Sequence, residues 1–223
     1  MKPALGLVVL ISGRGSNLRA IADAIAAGTL SAKILLVLCN RPDAPGLALA
    51  AERGLATAVV DHQTFENRGA FDRALQQRVA EANPDLVVLA GFMRLLGRDF
   101  VTHYGGRLVN IHPSLLPAYP GLDTHRRVLA AGDKQHGCSV HYVTPKVDAG
   151  PVIQQLAVPV LADDDETSLA QRLLRAEHQL YPETLALIAE GRVQLKNDQV
   201  FLDGRAITSE ESRRVWHEAS AVS

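Results

Sequence analysis

Cysteine is nearly missing from this chain: its 223 residues include only Cys39 and Cys138. Two thiols without Cys-x-x-Cys spacing exclude a disulfide framework. Both are read as small apolar residues at strand ends. An excess of basic charge is missing too. The formal net charge of −1 argues against neutralising a nucleic-acid backbone and leaves open only a local basic pocket for one phosphate. No apolar run approaches the roughly 18 residues that a membrane span requires. Met1-Lys2-Pro3-Ala4 leads straight into a strand without an apolar leader, so a cytoplasmic protein with no membrane partner is expected. Internal repeats and low-complexity segments are also lacking.

What is present is an ordinary globular composition, 47% apolar and 21% charged, at a length that supports one large α/β domain and is short for two. Apolar runs at 5–11, 33–39, 57–60, 85–90 and 107–111 predict strands, the first covered on both faces; helical spacing marks 16–27, 45–53, 66–82 and 97–103 between them. This alternation predicts an open, mostly parallel twisted sheet with helices on both faces. After Ile111 the pattern changes. Residues 112–123 hold Pro113, Pro117, Pro120 and Gly121, a long stiff loop of the kind that often carries function. A short helix (124–131) follows, then strands at 137–143 and 151–158 that pair antiparallel at a sheet edge, then a long helix from Thr167 to Glu190 kinked at Pro182. A hairpin over 193–202 closes a single domain of residues 1–205, leaving 206–223 as a polar, frayed tail.

Two local patterns suggest chemistry. Ser12-Gly13-Arg14-Gly15-Ser16-Asn17 stands where the first strand gives way to the first helix, where backbone N–H groups and the helix dipole favour an anion. A dinucleotide fingerprint would need a small residue at Leu18 and an acid after the second strand, where Cys39-Asn40-Arg41 stands. An ATP-type Gly-x-x-x-x-Gly-Lys-Ser/Thr loop is absent as well. A single phosphate fits better, with Ser16 and Asn17 adding donors; the plain alternative is a tight turn whose Ser or Asn caps the helix. The second pattern is Asn110-Ile111-His112-Pro113-Ser114-Leu115-Leu116-Pro117. Asn110 and His112 project to the same side of a strand, where an amide donor and an imidazole can converge on one carbonyl, as acyl transfer requires. Here the plain alternative is a polar strand end that caps backbone groups.

In chain order, Ile11 to Asn17, Leu89-Ala90-Gly91-Phe92-Met93-Arg94, Asn110 to Pro117, Tyr119-Pro120-Gly121, His136-Gly137-Cys138-Ser139-Val140-His141 and Asp148-Ala149-Gly150-Pro151 resemble the folate-dependent phosphoribosylglycinamide formyltransferases, over residues 5 to 203. The resemblance implies a Rossmann-like formyltransferase fold with an antiparallel edge strand. It implies transfer of a formyl group from 10-formyltetrahydrofolate, a co-substrate and not a tightly bound cofactor, to the glycyl amine of 5'-phosphoribosylglycinamide (GAR) in purine biosynthesis. Asn110 and His112 would stabilise the tetrahedral oxyanion, and Asp148 would pair with His112 and relay a proton through water. Transfer would be direct, since nothing marks Ser114 or Cys138 as an activated nucleophile.

By the same resemblance Gly13, Arg14, Gly15, Ser16 and Asn17 meet the GAR phosphate, Glu177 meets the ribose, and Gly91 and Met93 lie between the two substrates. Arg68 meets the glutamate tail of folate, Met93, Arg94, Leu95, Leu96 and Asn110 line the folate-binding strand end, and Val143, Thr144, Val147 and Asp148 lie in the pterin loop. The partners implied are small molecules, acting on a monomer or weak homodimer, and the Leu116–Pro117 bond is expected to be cis. Three departures stand out. Leu174 replaces a Lys or Gln that reaches the phosphate, with Arg14, Arg172 or Arg175 as substitutes; Asp123 stands where His is frequent, and Cys138 where Thr is usual.

Rival activities with a similar centre are a methionyl-tRNA formyltransferase, which carries a further C-terminal domain and a basic surface, and a formyltetrahydrofolate hydrolase, which carries an N-terminal regulatory domain; length argues against both. A formyltransferase with another amine acceptor is a further alternative. A silent nucleotide-phosphate binding protein need not keep Asn110, His112 and Asp148 together. No metal site is expected, because His136 and His141 have poor chelating spacing. His62, His103, His125, His178 and His217 are read as surface or cap residues, Asp163 to Glu166 as complementing a helix dipole, and Lys196 to Gln199 as a turn.

Overall fold

The apolar runs become strands and the periodic segments helices, in the order β1 (Leu5–Ile11), α1 (Ser16–Ala26), β2 (Ala32–Cys39), α2 (Pro45–Glu52), β3 (Thr57–Val59), α3 (Arg68–Ala82), β4 (Leu86–Leu89), α4 (Arg98–His103), β5 (Leu108–His112), α5 (Thr124–Ala131), β6 (Gln135–Tyr142), β7 (Val152–Pro159), α6 (Glu166–Ala189), β8 (Val193–Lys196), β9 (Gln199–Leu202), β10 (Arg205–Ala206) and β11 (Arg213–Val215). The computed structural model describes residues 3–216 of the chain.

The main sheet runs β11-β7-β6-β5-β4-β1-β2-β3, and β8, β9 and β10 form a small antiparallel sheet of their own. Strands β1 to β5 are parallel, whereas β6 runs antiparallel to both β5 and β7. Side-chain alternation explains the uninterrupted apolar runs: Leu7, Val9 and Ile11 enter one core, which includes residues of α1 and α6, and Val8 and Leu10 enter the other, which includes residues of α3 and α4. The chain steps outward from β1 to β3 and then returns past β1 to β4. The carboxyl ends of β1 and β4 therefore flank a topological switch point, where open α/β sheets carry their ligand crevice.

Three features differ from the sequence expectations. The antiparallel strand β7 is not the outer strand, because Arg213–Val215 adds beyond it in parallel. Residues 206–216 are thus not a frayed tail: Ala206 pairs with Phe201, and Trp216 packs against the main core. The polar composition hid this, since an edge strand needs few apolar residues. His217 and the rest of the tail lie outside the described residues. Cys138 lies inside β6, not at its end, and like Cys39 it is buried.

Candidate active site

The glycine-rich turn forms the first corner of the crevice. Gly15 has φ 74° and precedes α1, whose N terminus has no side-chain cap and no acid in its first turn. A Cβ at Gly15 would stand 3.1 Å from Gly46 Cα, because Gly46 N–H donates to the Gly13 carbonyl (2.9 Å) and draws α2 against the turn. Glycine is therefore required for both the conformation and the approach. Next to it Ser12 Oγ donates to Asn40 Oδ1 (2.5 Å) and accepts from Met93 N–H (2.8 Å), tying β1 to the segment that follows β4.

Asn17 and Glu177 close this corner. Asn17 Nδ2 donates to Glu177 Oε2 (2.8 Å), and Asn17 Oδ1 is buried with no partner. Desolvation pushes the Glu177 carboxyl up to about 7 against the lowering effect of that hydrogen bond. One turn further along α6, the fully buried Tyr181 hydroxyl donates to the Leu89 carbonyl (3.0 Å), with the Val109 carbonyl 3.3 Å away, which fixes α6 over β4 and β5. Of the cations considered as substitutes at Leu174, Arg172 makes a two-pronged pair with Asp164 and Arg175 lies over the Trp216 ring. Arg14 is exposed on the turn itself.

The second centre lies at the end of β5. His112, the last residue of that strand, is buried, and its Nε2 is 2.9 Å from the Tyr119 carbonyl. A carbonyl only accepts, so Nε2 carries the hydrogen and Nδ1 faces Asp148, whose Oδ2 is 3.4 Å away. Asp148 is held with φ 48°, and its Oδ2 accepts from Gly121 N–H (2.8 Å). Gly150 closes that loop where a Cβ would fall 1.8 Å from the Tyr142 carbonyl oxygen. The Leu116–Pro117 bond is cis, as expected.

Asn110 is oriented by His141, its partner across the β5–β6 pair. His141 Nδ1 donates to the Tyr142 carbonyl (2.9 Å), which leaves Nε2 to accept from Asn110 Nδ2 (3.2 Å). Burial lowers His141 to about 4, outweighing the pull of Asp148 at 3.8 Å, so the ring is neutral near pH 7. One Asn110 N–H is thereby engaged, and the second has no partner among the described residues. Sequence reasoning missed three contributors to this centre: the His141 ring and two backbone groups, the Tyr119 carbonyl and the Gly121 N–H. The opposition of Asn110 to a histidine two positions from Ser139 is the signal that a strand-pairing argument could have used for His141.

Of the expected folate residues, Met93, Arg94, Leu95 and Leu96 stand on the loop 91–97 and Val143, Thr144, Val147 and Asp148 on the loop 143–148, whereas Arg68 begins α3 and Asn110 lies in β5. Arg68 and Arg94 both bear on Asp72: Arg68 Nε is 3.6 Å from it, and Arg94 lies over Phe71 (5.8 Å). Asp72 in turn accepts from Gly97 N–H (2.9 Å) and holds the loop containing Leu95 and Leu96. Val143 N–H donates to the Leu108 carbonyl (2.9 Å) and Thr144 Oγ1 to the Lys146 carbonyl (3.2 Å), shaping the second loop. Met93, Leu95 and Val147 are exposed, Met93 at 72%. His136 pairs with His125 (3.1 Å), and among the described residues no group of three or more His, Cys, Asp or Glu is placed to hold a metal. No helix among them is long and apolar enough to cross a membrane.

Comparison with known proteins bears directly on this geometry. The sequence pattern of the formyl transferase family matches residues 5–185. The chain is 47% identical over 203 residues to a phosphoribosylglycinamide formyltransferase of Escherichia coli (strain K12), covering 91% of this chain and 96% of that protein. The chain belongs to the formyl transferase family. Among solved structures, the phosphoribosylglycinamide formyltransferase of Coxiella burnetii superposes with a TM-score of 0.90 at 48% identity, over 94% of this chain and 99% of that one. A formyltetrahydrofolate deformylase from Pseudomonas syringae also superposes (TM-score 0.82) but at 23% identity, over 89% of this chain and 66% of that one, which shows a shared fold and no more.

Proposed function

We infer that this formyl transferase carries the formyl group of 10-formyltetrahydrofolate to the glycyl amine of GAR, giving formyl-GAR and tetrahydrofolate in purine biosynthesis. One observation carries the reading: a single-anion corner at Gly13–Asn17 and an amide–imidazole–carboxylate centre at Asn110, His112 and Asp148 lie at the carboxyl ends of β1 and β5 in one sheet. The extent of identity to named phosphoribosylglycinamide formyltransferases supports it.

In this reading the GAR phosphate docks on the turn, with N–H groups of α1 and the Arg14 side chain as donors, and Glu177 takes the ribose. The pterin lies against 143–148, the Met93 to Leu96 segment lines the folate, and Arg68 meets the glutamate carboxylates of its tail. The neutral amine attacks the formyl carbon. The free N–H of Asn110 and the His112 ring stabilise the oxyanion, and one well-placed donor is worth about 3–4 kcal/mol of barrier. Asp148 offsets the charge on His112 and passes the proton released by the amine, through water, to folate N10 as the carbon–nitrogen bond to folate breaks. Every residue in this scheme comes from one chain, so a monomer or weak homodimer is competent.

The test is tetrahydrofolate release, followed by absorbance, from purified protein and 10-formyltetrahydrofolate with and without GAR. Release only with GAR, and formyl-GAR by mass, is expected. Release without GAR would make the protein a hydrolase, and no release in either condition would point to a different amine acceptor or a silent binding protein.

A further inference from the structure

Gln155 stands within β7, fully buried and outside the centre described above. Its side-chain amide joins three elements. Nε2 donates to the Leu116 carbonyl (2.8 Å) and to Ser139 Oγ (2.8 Å), while Oε1 accepts from Nε of Arg213 in β11 (3.1 Å). Ser139, also fully buried and opposite His112 in the β5–β6 pair, donates to the Ser114 carbonyl (2.6 Å) and accepts from Leu116 N–H (3.0 Å). From there the loop braces itself. Ser114 Oγ donates to the Ala118 carbonyl (2.6 Å), the next residue supplies the carbonyl that holds His112 Nε2, and Gly121 N–H holds Asp148. Hydrogen bonds and the short segment 118–121 thus link the outer strand to both His112 and Asp148.

The two ends of the Gln155 amide are not interchangeable. A carbonyl only accepts and a guanidinium only donates, so Nε2 must face Leu116 and Oε1 must face Arg213. A flipped amide would set oxygen against oxygen at Leu116 and donor against donor at Arg213. Arg213 therefore selects the orientation that the loop needs, and without it a buried acceptor loses its partner. The ladder delivers Arg213 to that place: it pairs in register with Gln155, Gln155 N–H donates to the Ser212 carbonyl (3.3 Å), and Trp216 N–H donates to the Ala157 carbonyl (2.7 Å).

We propose that Arg213, acting through Gln155 and Ser139, is a positioning residue for formyl transfer: β11 sets the loop 114–121 and with it the placement of His112 against Asp148. The proposal rests on the formyl-transfer reading of that centre, and its test separates the two. Full-length R213M keeps the aliphatic stem without a donor, and R213K restores a donor. For R213M, kcat is expected to fall about tenfold with KM for GAR within about twofold. Amide hydrogen exchange at the non-proline positions of 114–121 is expected to quicken about tenfold while α1 stays unchanged. R213K should recover most of both. Unchanged exchange at 114–121 in R213M would overturn the proposal, as would a kcat loss accompanied by faster exchange across the whole sheet in both variants. Exchange also decides the matter if the unsubstituted protein fails to formylate GAR, in which case the functional reading alone has failed.

Discussion

The corner proposed for the phosphate and the centre proposed for transfer are built by opposite means. The corner comes from consecutive residues, Gly13 to Asn17, and presents mainly backbone N–H groups that helix α1 aims for it. The centre gathers Asn110 and His112 from β5 and Asp148 from a distant loop, and each is fixed by a group from elsewhere: His141, the Tyr119 carbonyl and Gly121 N–H. A site made of backbone is hard to disturb by changing one side chain. A site made of converging side chains fails when any one of them moves.

If that contrast is right, the largest single effect falls at the centre. His112→Ala should lower kcat by at least about a hundredfold with an unchanged fold and little change in KM for GAR. Steady-state kinetics and circular dichroism check both halves, and near-normal turnover in a folded variant would remove His112 from the mechanism. Asp148→Asn keeps the shape and can still accept from Gly121, but it gives up the charge that faces His112 Nδ1 at 3.4 Å. A loss of about tenfold to a hundredfold in kcat is expected. Unaltered kcat would leave Asp148 with the purely structural task of shaping its loop.

The same contrast decides what could be read in the sequence. The parallel strands were legible because β1, β2, β4 and β5 are largely buried apolar runs, and the Gly13–Asn17 corner because its residues are contiguous. Asn110 and His112 were legible as a pair because strand geometry puts alternate residues on one side. What determines their orientation was not. Pairing of β5 with β6 sets His141 against Asn110, and no local pattern announces that register. The outer strand was missed for a related reason: Arg213-Arg214-Val215 reads as a polar tail, and only the ladder to β7 and the Arg213–Gln155 bond reveal it as structure. Arg172, one of the cations suggested to replace Leu174, pairs with Asp164 just before the same helix, a contact that no sequence pattern announces.

At the corner, a smaller effect of another kind is expected. Gly15→Ala puts a Cβ on a residue with φ 74° and within 3.1 Å of Gly46 Cα, a strain of about 1–2 kcal/mol for the backbone alone. The turn should open, so KM for GAR should rise about tenfold while kcat at saturation stays within about threefold. If instead kcat collapsed with KM unchanged, the corner and the centre would be one mechanical unit and the contrast between them would break.

The smallest effect concerns the buried carboxyl that closes the corner with Asn17. Glu177 is pushed up to about 7 by burial, from an ordinary value of 4.5. Between those values the folded protein keeps a proton that the unfolded chain has released. Stability from this group is therefore fully present below the unfolded value and is lost as pH rises through the folded one. Glu177→Gln mimics the neutral acid, and its carbonyl can still accept from Asn17 Nδ2. In the absence of substrates the variant should melt within error of the unsubstituted protein near pH 4.5 and at least about 2–4 °C above it near pH 7.5, with the gap opening between. A gap that stays constant with pH would mean that Glu177 titrates as an ordinary carboxyl. The corner would then carry no electrostatic cost from burial, and its tolerance would match that of an all-backbone site.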